Sequence, residues 1–345
     1  MPIIDSDAHV VESERTWEFM DEAEQAYRPR VIIPRDPPPP GTRGGREFWL
    51  IDGKLEPRRQ NIGLDTPLES REMDDVAARI RHMDELEVDV QVLYPSIFLR
   101  PLTTKPEVEL ALAKSYNRWM ADIWKQGNGR LRWACLLPWY TVDKAVEELR
   151  FAKANGACAI FARYAEADQL LNAPAFYPIY EEANDLDLPV CVHASSGTMA
   201  THELFGNGSS VPLFKLGPIG AFATVASSKL PELFPKLRWG FIEVRAQWIP
   251  YMCHHFYHTS NKQATWWKDG LLRDRRIYVA VQTDDDIPYI LQYAGEDNLV
   301  IGTDYGHDDS SSELEALRIL RANGEVKPRV IDKMMDDNAR ALYGL

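Results

Sequence analysis

RHMDELEVDVQVLYPS, residues 81–96, holds a helix-to-strand step. The apolar positions leading to Leu86 recur with a helical period, whereas Val88–Tyr94 is a short Val- and Leu-rich run of strand length. The same step repeats along the chain in both directions. Strands are expected at Ile3–Asp7, Val88–Tyr94, Leu131–Leu136, Ala157–Phe161, Val190–His193, Trp239–Glu243, Ile277–Val281 and Leu299–Thr303. Between them helices are expected at Glu72–Leu86, Glu107–Gln126, Val142–Ala154, Ala175–Leu186, Trp248–His258, Pro288–Ala294 and Ser312–Ala322, with Pro328–Ala341 last. Apolar strands alternating with helices are the signature of parallel βα units, and eight of them match a (β/α)8 TIM barrel. A doubly wound open sheet is the alternative, but no Gly-rich phosphate loop follows the first strand.

Residues 1–345 read as a single barrel domain with an insertion in the first βα connection, at about residues 28–68. Within it Pro37–Pro40 and the following GTRGG belong in a loop, because proline donates no backbone hydrogen bond. REFWLIDGKLEPR (46–58) reads as a hairpin turning at Asp52-Gly53. The 39 Lys+Arg against 52 Asp+Glu leave a net charge of −13, which argues against nucleic acid as a partner. No apolar run is long enough for a bilayer, so no membrane is expected. The start MPIIDSDAHVV has no basic n-region or cleavage site, which points to a reducing cytoplasm. Cys135, Cys158, Cys191 and Cys253 are widely spaced within or beside apolar runs and read as free core thiols.

A barrel of this kind carries its active site at the C-terminal ends of its strands. Strand 1 ends in Asp7-Ala8-His9, with Asp7 and His9 on one side by strand alternation. Strand 5 ends in His193, strand 6 in Glu243, and strand 8 in Asp304 with His307 three residues on. Alone, each has an ordinary reading: a hydrogen-bonded structural histidine, a helix cap at Asp304, an ion pair of Glu243 with Arg245 or Arg163. Together, imidazoles and carboxylates converging on one barrel mouth make a metal site.

These residues sit in IIDSDAHVVE, RHMDELEVDVQVLYPS, LPVCVHASSG, LRWGFIEVRAQWIPY, IGTDYGH and DDNARALYGL, which run almost the length of the chain. In that order the motifs resemble the second amidohydrolase family, whose members include decarboxylases of the aminocarboxymuconate-semialdehyde type. The resemblance implies a barrel with a catalytic metal, whose ligands here would be Asp7, His9, His193 and Asp304. The family usually has His-x-His on strand 1 and a proton-transferring His on strand 6, where this chain has Asp7 and Glu243. Arg245 replaces a common Gly, and FARY (161–164) at the end of strand 4 offers no lysine for carbamylation. Oxygen ligands in place of imidazole favour Mn or Fe over Zn.

A second ion would use Glu243 as a bridge, His307, and His255 from the cluster His254, His255, His258, for which a packed polar helix face is the competing reading. Asp-x-His, the strand-6 Glu and GTDYGH followed by SSSELEAL resemble a smaller branch containing dinuclear Mn/Fe hydroxylases of small acids. The expected cofactor is therefore one or two divalent ions. Glu243, Asp304 and His307 are the candidate catalytic groups. Arg163 and Arg245 are candidates to clamp a substrate carboxylate, unless they pair with Glu243 or Asp284–Asp286. Tyr94, Trp248, Trp17 and Phe98 would wall the pocket, with Gln282 and Thr283 as further polar contacts. The favoured expectation is O2-dependent hydroxylation of a small carboxylic acid. The alternatives are a metal-dependent hydrolase or non-oxidative decarboxylase, and an inactive partner subunit. Association with a like or homologous subunit is expected from the resemblance.

Overall fold

The computed structural model describes residues 2–35, 47–59, 61–205, 211–259, 270–322 and 324–345, so the Pro37–Pro40 and GTRGG loop lies outside them. One sheet contains eight strands in chain order: β1 (Ile4–Val10), β2 (Val90–Pro95), β3 (Leu131–Cys135), β4 (Ala157–Ala162), β5 (Val190–His193), β6 (Trp239–Ile242), β7 (Ile277–Val281) and β8 (Leu299–Ile301). Every neighbouring pair is parallel. Helices α1 (Val76–Glu85), α2 (Pro106–Gln126), α3 (Val142–Ala154), α4 (Tyr177–Asp185), α5 (Leu216–Ser227), α6 (Ile249–Thr259), α7 (Ile287–Ala294) and α8 (Ala316–Ala322) stand between and after the strands. The fold is a (β/α)8 barrel, as the strand-and-helix alternation predicts. No helix among the described residues is long and apolar enough to cross a membrane, and all four cysteines are buried and unpaired.

The barrel closes along the seam between β1 and the backbone just past β8. Thr303 and Asp304 donate N–H to the Asp7 carbonyl at 3.1 and 2.8 Å, and His9 N–H donates to the Tyr305 carbonyl at 2.8 Å. The buried Asp5 carboxylate spans the same seam, accepting Thr303 N–H at 2.9 Å, Thr303 Oγ1–H at 2.7 Å and Gln91 Nε2–H at 2.9 Å. Behind it, fully buried Arg79 donates to Gln91 Oε1 and the His9 carbonyl and lies 3.5 Å from the Tyr305 ring centroid. β1 has one extra residue relative to β2 between the pairs Asp5–Gln91 and Ala8–Leu93, a bulge that re-aims Asp7 beside the mouth.

Three departures from the sequence reading have physical causes. β1 runs on to Val10, because the Tyr305 carbonyl continues its ladder beyond Asp7. The last helix is divided by a π-turn at Lys333–Asp337. Between β5 and β6, where no helix is expected, the chain forms a helix at Met199–Phe205, a π-turn at Val211–Lys215, and α5. LGPIGAFATVAS carries Gly217, Pro218 and Gly220 and is apolar on every side, so its sequence has no 3.6-residue period to read.

The insertion forms a three-stranded antiparallel sheet, Arg30–Ile32, Phe48–Ile51 and Lys54–Pro57. Its hairpin turns at Asp52 and Gly53, both with positive φ (46° and 79°), as a two-residue turn of the mirror-image type requires. Trp49 is fully buried edge-on against Trp17. Further along, Gly63 N–H donates to the Gly306 carbonyl at 3.0 Å and Asp308 N–H to the Asn61 carbonyl at 2.8 Å. The insertion thus braces the loop that carries His307.

At Gly302 a Cβ would lie 2.2 Å from the Asp7 Cβ, so only glycine lets the eighth strand pass the first. Gly302→Ala should cost about 1–3 kcal/mol in denaturant unfolding and reduce metal content together with stability. Unchanged values for both would show that the seam tolerates displacement.

Candidate metal centre

Asp7 and His9 from β1, His193 ending β5 and Asp304 beyond β8 meet at the C-terminal mouth, each 3% exposed or less. His9 Nδ1 donates to the Pro95 carbonyl at 3.0 Å, and His193 Nδ1 faces the Ala194 carbonyl at 3.2 Å. Both rings therefore turn Nε2 inward, the orientation that backbone carbonyls impose on metal-binding histidines. His9 Nε2 lies 3.4 Å from Asp7 Oδ1 and 3.3 Å from Asp304 Oδ1, while His193 Nε2 lies 3.2 Å from Asp7 Oδ1. His9 Nε2 is buried with no hydrogen-bond partner. An orphaned imidazole nitrogen among carboxylate oxygens fits a divalent cation, because an ion is the partner that satisfies all of these atoms together. Burial and the facing His307 and His193 rings push His9 down to about 3, keeping its lone pair free. Burial opposes ionisation of Asp7, yet His193 and His9 hold it below the usual carboxylate range.

His307 is brought to the same cluster, its ring 3.9 Å from His9 centroid to centroid, but its nitrogens are engaged differently. Nδ1 meets Asp304 Oδ1 at 2.8 Å and Nε2 meets Ser96 Oγ at 2.9 Å. Ser96 spends its own proton on the Val10 carbonyl at 2.7 Å, so it accepts from His307 Nε2–H. With a carboxylate on the other side, His307 is placed to donate at both nitrogens, although its ligand atoms also lie close enough to those of His9 and Asp304 to share an ion. Burial disfavours this imidazolium, but Asp304 raises it to about 9. Burial in turn pushes Asp304 up, and Ser312 Oγ donates to its Oδ2 at 2.8 Å. Ser96 is fixed by Glu12, whose oxygens accept Ser96 N–H at 3.1 Å and Ile97 N–H at 2.9 Å.

Glu243 also reaches the mouth, with Oε2 3.5 Å from His193 Nδ1. Its other oxygen is engaged by Lys215, the N-cap residue of α5. Lys215 Nζ donates to Glu243 Oε1 at 2.9 Å, the Glu243 carbonyl at 2.6 Å and Ser311 Oγ at 3.1 Å. Glu243, Asp304 and Asp309 together could hold an ion, yet this ammonium already supplies their positive charge with all three of its donors used. Glu243, Arg245 and Asp304 adopt left-handed backbone conformations (φ 60°, 58° and 52°). Such strain costs roughly 1–3 kcal/mol per residue and gathers at functional sites.

Other expected site residues are placed elsewhere or differently. His255 is exposed on α6 and stacks on Tyr251, on the solvent side of the helix and outside the donor cluster; His254 and His258 are likewise exposed. Arg245 pairs with Asp284 at 2.6 Å, within the acidic run expected to compete for it, whereas Arg163 pairs with Glu166, a partner the sequence reading did not name. Tyr94 forms the floor rather than the wall: its ring lies 5.1 Å from His193 and its hydroxyl bonds Tyr343. Trp248 packs on Phe222 and donates to the Val244 and Arg245 carbonyls. Lys215 was missed because its segment has no period. Ser96 directly follows β2 and was within reach of the same strand-end rule that found His193.

A barrel with inward-facing Nε2 atoms and carboxylates at its mouth defines the class of metal-dependent barrel enzymes. A family profile described as amidohydrolase, the second such family, matches residues 4–345, and the chain belongs to this metal-dependent family of enzymes. Among solved structures it is similar to an amidohydrolase from Mycobacterium avium subsp. paratuberculosis (19% identity, 100% and 98% of the two chains, TM-score 0.79). It is also similar to 5-carboxyvanillate decarboxylase from Sphingomonas paucimobilis (14%, 100% and 99%, 0.67). A third similar structure is 4-oxalomesaconate hydratase from Rhodopseudomonas palustris (17%, 99% and 95%, 0.65). At these identities the structures share the fold.

A ligand that binds only the folded state stabilises it by mass action, by about 2.7 kcal/mol at a hundredfold excess over Kd. Chelation should therefore lower the unfolding free energy of the isolated protein by about that amount. His9→Ala should be insensitive to the chelator and lack the ion by elemental analysis. A chelator effect that persists in His9→Ala would move the ion elsewhere.

Proposed function

We propose that the protein is a single-metal decarboxylase that releases CO2 from a small carboxylic acid without O2. The observation that carries this reading is His307, a donor at both nitrogens and bonded to Asp304 beside the inward-facing atoms of Asp7, His9 and His193. Those three residues and Asp304 would hold the ion, which supplies Lewis acidity toward the substrate's oxygens.

When the carbon–carboxylate bond breaks, its electron pair stays on the substrate carbon and CO2 departs. A proton must reach that carbon, and no oxidant is consumed. His307 holds such a proton at Nδ1, and Asp304 is the group through which it is passed toward the mouth. Ser96, fixed by Glu12, keeps the imidazole aligned from behind. Glu243, held by Lys215, is a positioning residue beside His193. This arrangement supplies the proton-transfer group that the strand-6 carboxylate lacks.

A dinuclear oxygenase would need a second ion among Glu243, Asp304 and His307. The Lys215 ammonium on Glu243 and the two donated protons of His307 count against that reading. The decarboxylase named among the similar structures supports the non-oxidative one. An inactive partner subunit would have no reason to keep the full donor set.

The test is incubation of metal-loaded protein with aromatic and unsaturated monocarboxylic acids in D2O, without oxygen. CO2 release should proceed, with deuterium at the carbon that lost it. His307→Gln should lower kcat by about 10²–10⁴-fold with metal content retained. Turnover that requires O2 and carries its label into product would overturn the assignment.

A further inference from the structure

Beside the metal centre, on the β4 side of the mouth, lies a small cavity bounded by Phe98, Trp139, Phe161, Arg163 and Glu166. Phe161 borders both, lining the cavity and holding its ring 6.2 Å from that of His193. Its volume is about 30 Å³, enough for one substituent and too little for a second ring.

The cavity's polar character rests on Arg163, which is 9% exposed. Its Nη2 bonds Glu166 Oε2, its backbone N–H donates to Glu166 Oε1 at 2.6 Å, and Nη1 donates to the Phe98 carbonyl at 3.3 Å. Nε is buried with no partner. Glu166 is fully buried, so its charge and that of Arg163 cancel inside the wall. Glu109, a third wall residue, accepts Tyr140 N–H at 2.9 Å, and burial pushes it up to about 7. The cavity therefore offers a hydrogen-bond donor without a net positive charge. A carboxylate entering it would meet Glu166 with the Arg163 charge already spent on that residue, and like charges in a desolvated site are strongly disfavoured.

We infer that this cavity is a subsite for a neutral oxygen substituent of the substrate, such as a hydroxyl, methoxy or carbonyl group. Arg163 Nε donates to that group, and Glu166 makes the subsite select against a second carboxylate. The inference rests on the single-metal decarboxylase reading for the location of the reacting carboxylate. It gives Arg163 a different role from the carboxylate clamp expected from the sequence.

The experiment is calorimetric binding of benzoate, 3- and 4-hydroxybenzoate, isophthalate and terephthalate to the metal-loaded protein. At least one hydroxybenzoate should bind more tightly than benzoate, and more tightly than the matching dicarboxylate by roughly tenfold or more. Glu166→Gln leaves Arg163 with an unspent charge and should erase or invert the preference over the dicarboxylate. Arg163→Met should erase the advantage of the hydroxyl over benzoate, and it provides the test if Glu166→Gln does not fold. Preference of the wild type for a dicarboxylate, ratios unchanged in the variants, or no binding of either hydroxybenzoate at millimolar concentration would overturn the subsite. Because binding is read, the preference holds or fails whether or not CO2 is released; loss of turnover alone counts only against the decarboxylase reading.

Discussion

The seam between the first and eighth strands is the constraint on which the rest depends. Asp5 bridges it with a buried carboxylate that burial raises to about 6 despite the bonds from Thr303 and Gln91. The same few residues that close the barrel set the site. Asp7 accepts the Thr303 and Asp304 N–H groups through its carbonyl while its side chain faces His9 and His193. Closure and metal geometry are therefore one structural event. A shift in the seam would move Asp7 relative to Asp304, and the ion would lose donors from both sides at once.

Charge balance is the second organising fact. Asp7, Glu243, Asp304 and Asp309 bring four carboxylates to one mouth, three of them in a water-poor environment. Lys215 and His307 answer two of these carboxylates directly, at Glu243 and Asp304. The remaining donors, with the orphaned His9 Nε2, point to a single cation. The two nitrogens of each histidine explain why similar residues take different roles. A backbone carbonyl on His9 Nδ1 frees Nε2 for the ion, whereas Ser96 and Asp304 leave His307 with two protons. The insertion enters this balance indirectly, by bracing the loop around His307.

Much of the fold was legible because each strand is apolar, short and bounded by a periodic helix. The strand-end rule found Asp7, His9, His193, Glu243, Asp304 and His307, all of which lie at the mouth. What it could not provide was the partner of each group. Lys215 sits in a Gly- and Pro-interrupted apolar segment with no periodic signal, so the cation on Glu243 was invisible. The role of His307 is decided by Ser96, 211 positions away in the chain. Glu166 is only three residues beyond Arg163, yet the small hairpin at Ala165–Glu166 and Gln169–Leu170 is what folds it back. His255 lies away from the donor cluster because the buried face of its helix belongs to Ile249, Cys253 and Phe256, which leaves the histidines on the solvent side.

In the proposed arrangement one cation, a doubly protonated His307 and the Lys215 ammonium share this mouth. Anomalous diffraction from crystals of the protein, isolated without chelator and recorded at the Mn, Fe and Zn edges, tests it most directly. One peak is expected next to His9 Nε2, with Lys215 still on Glu243 and His307 still between Asp304 and Ser96. Two peaks about 3.5–4 Å apart, the spacing of two-metal sites, with Glu243 released from Lys215 and bridging them, would contradict it.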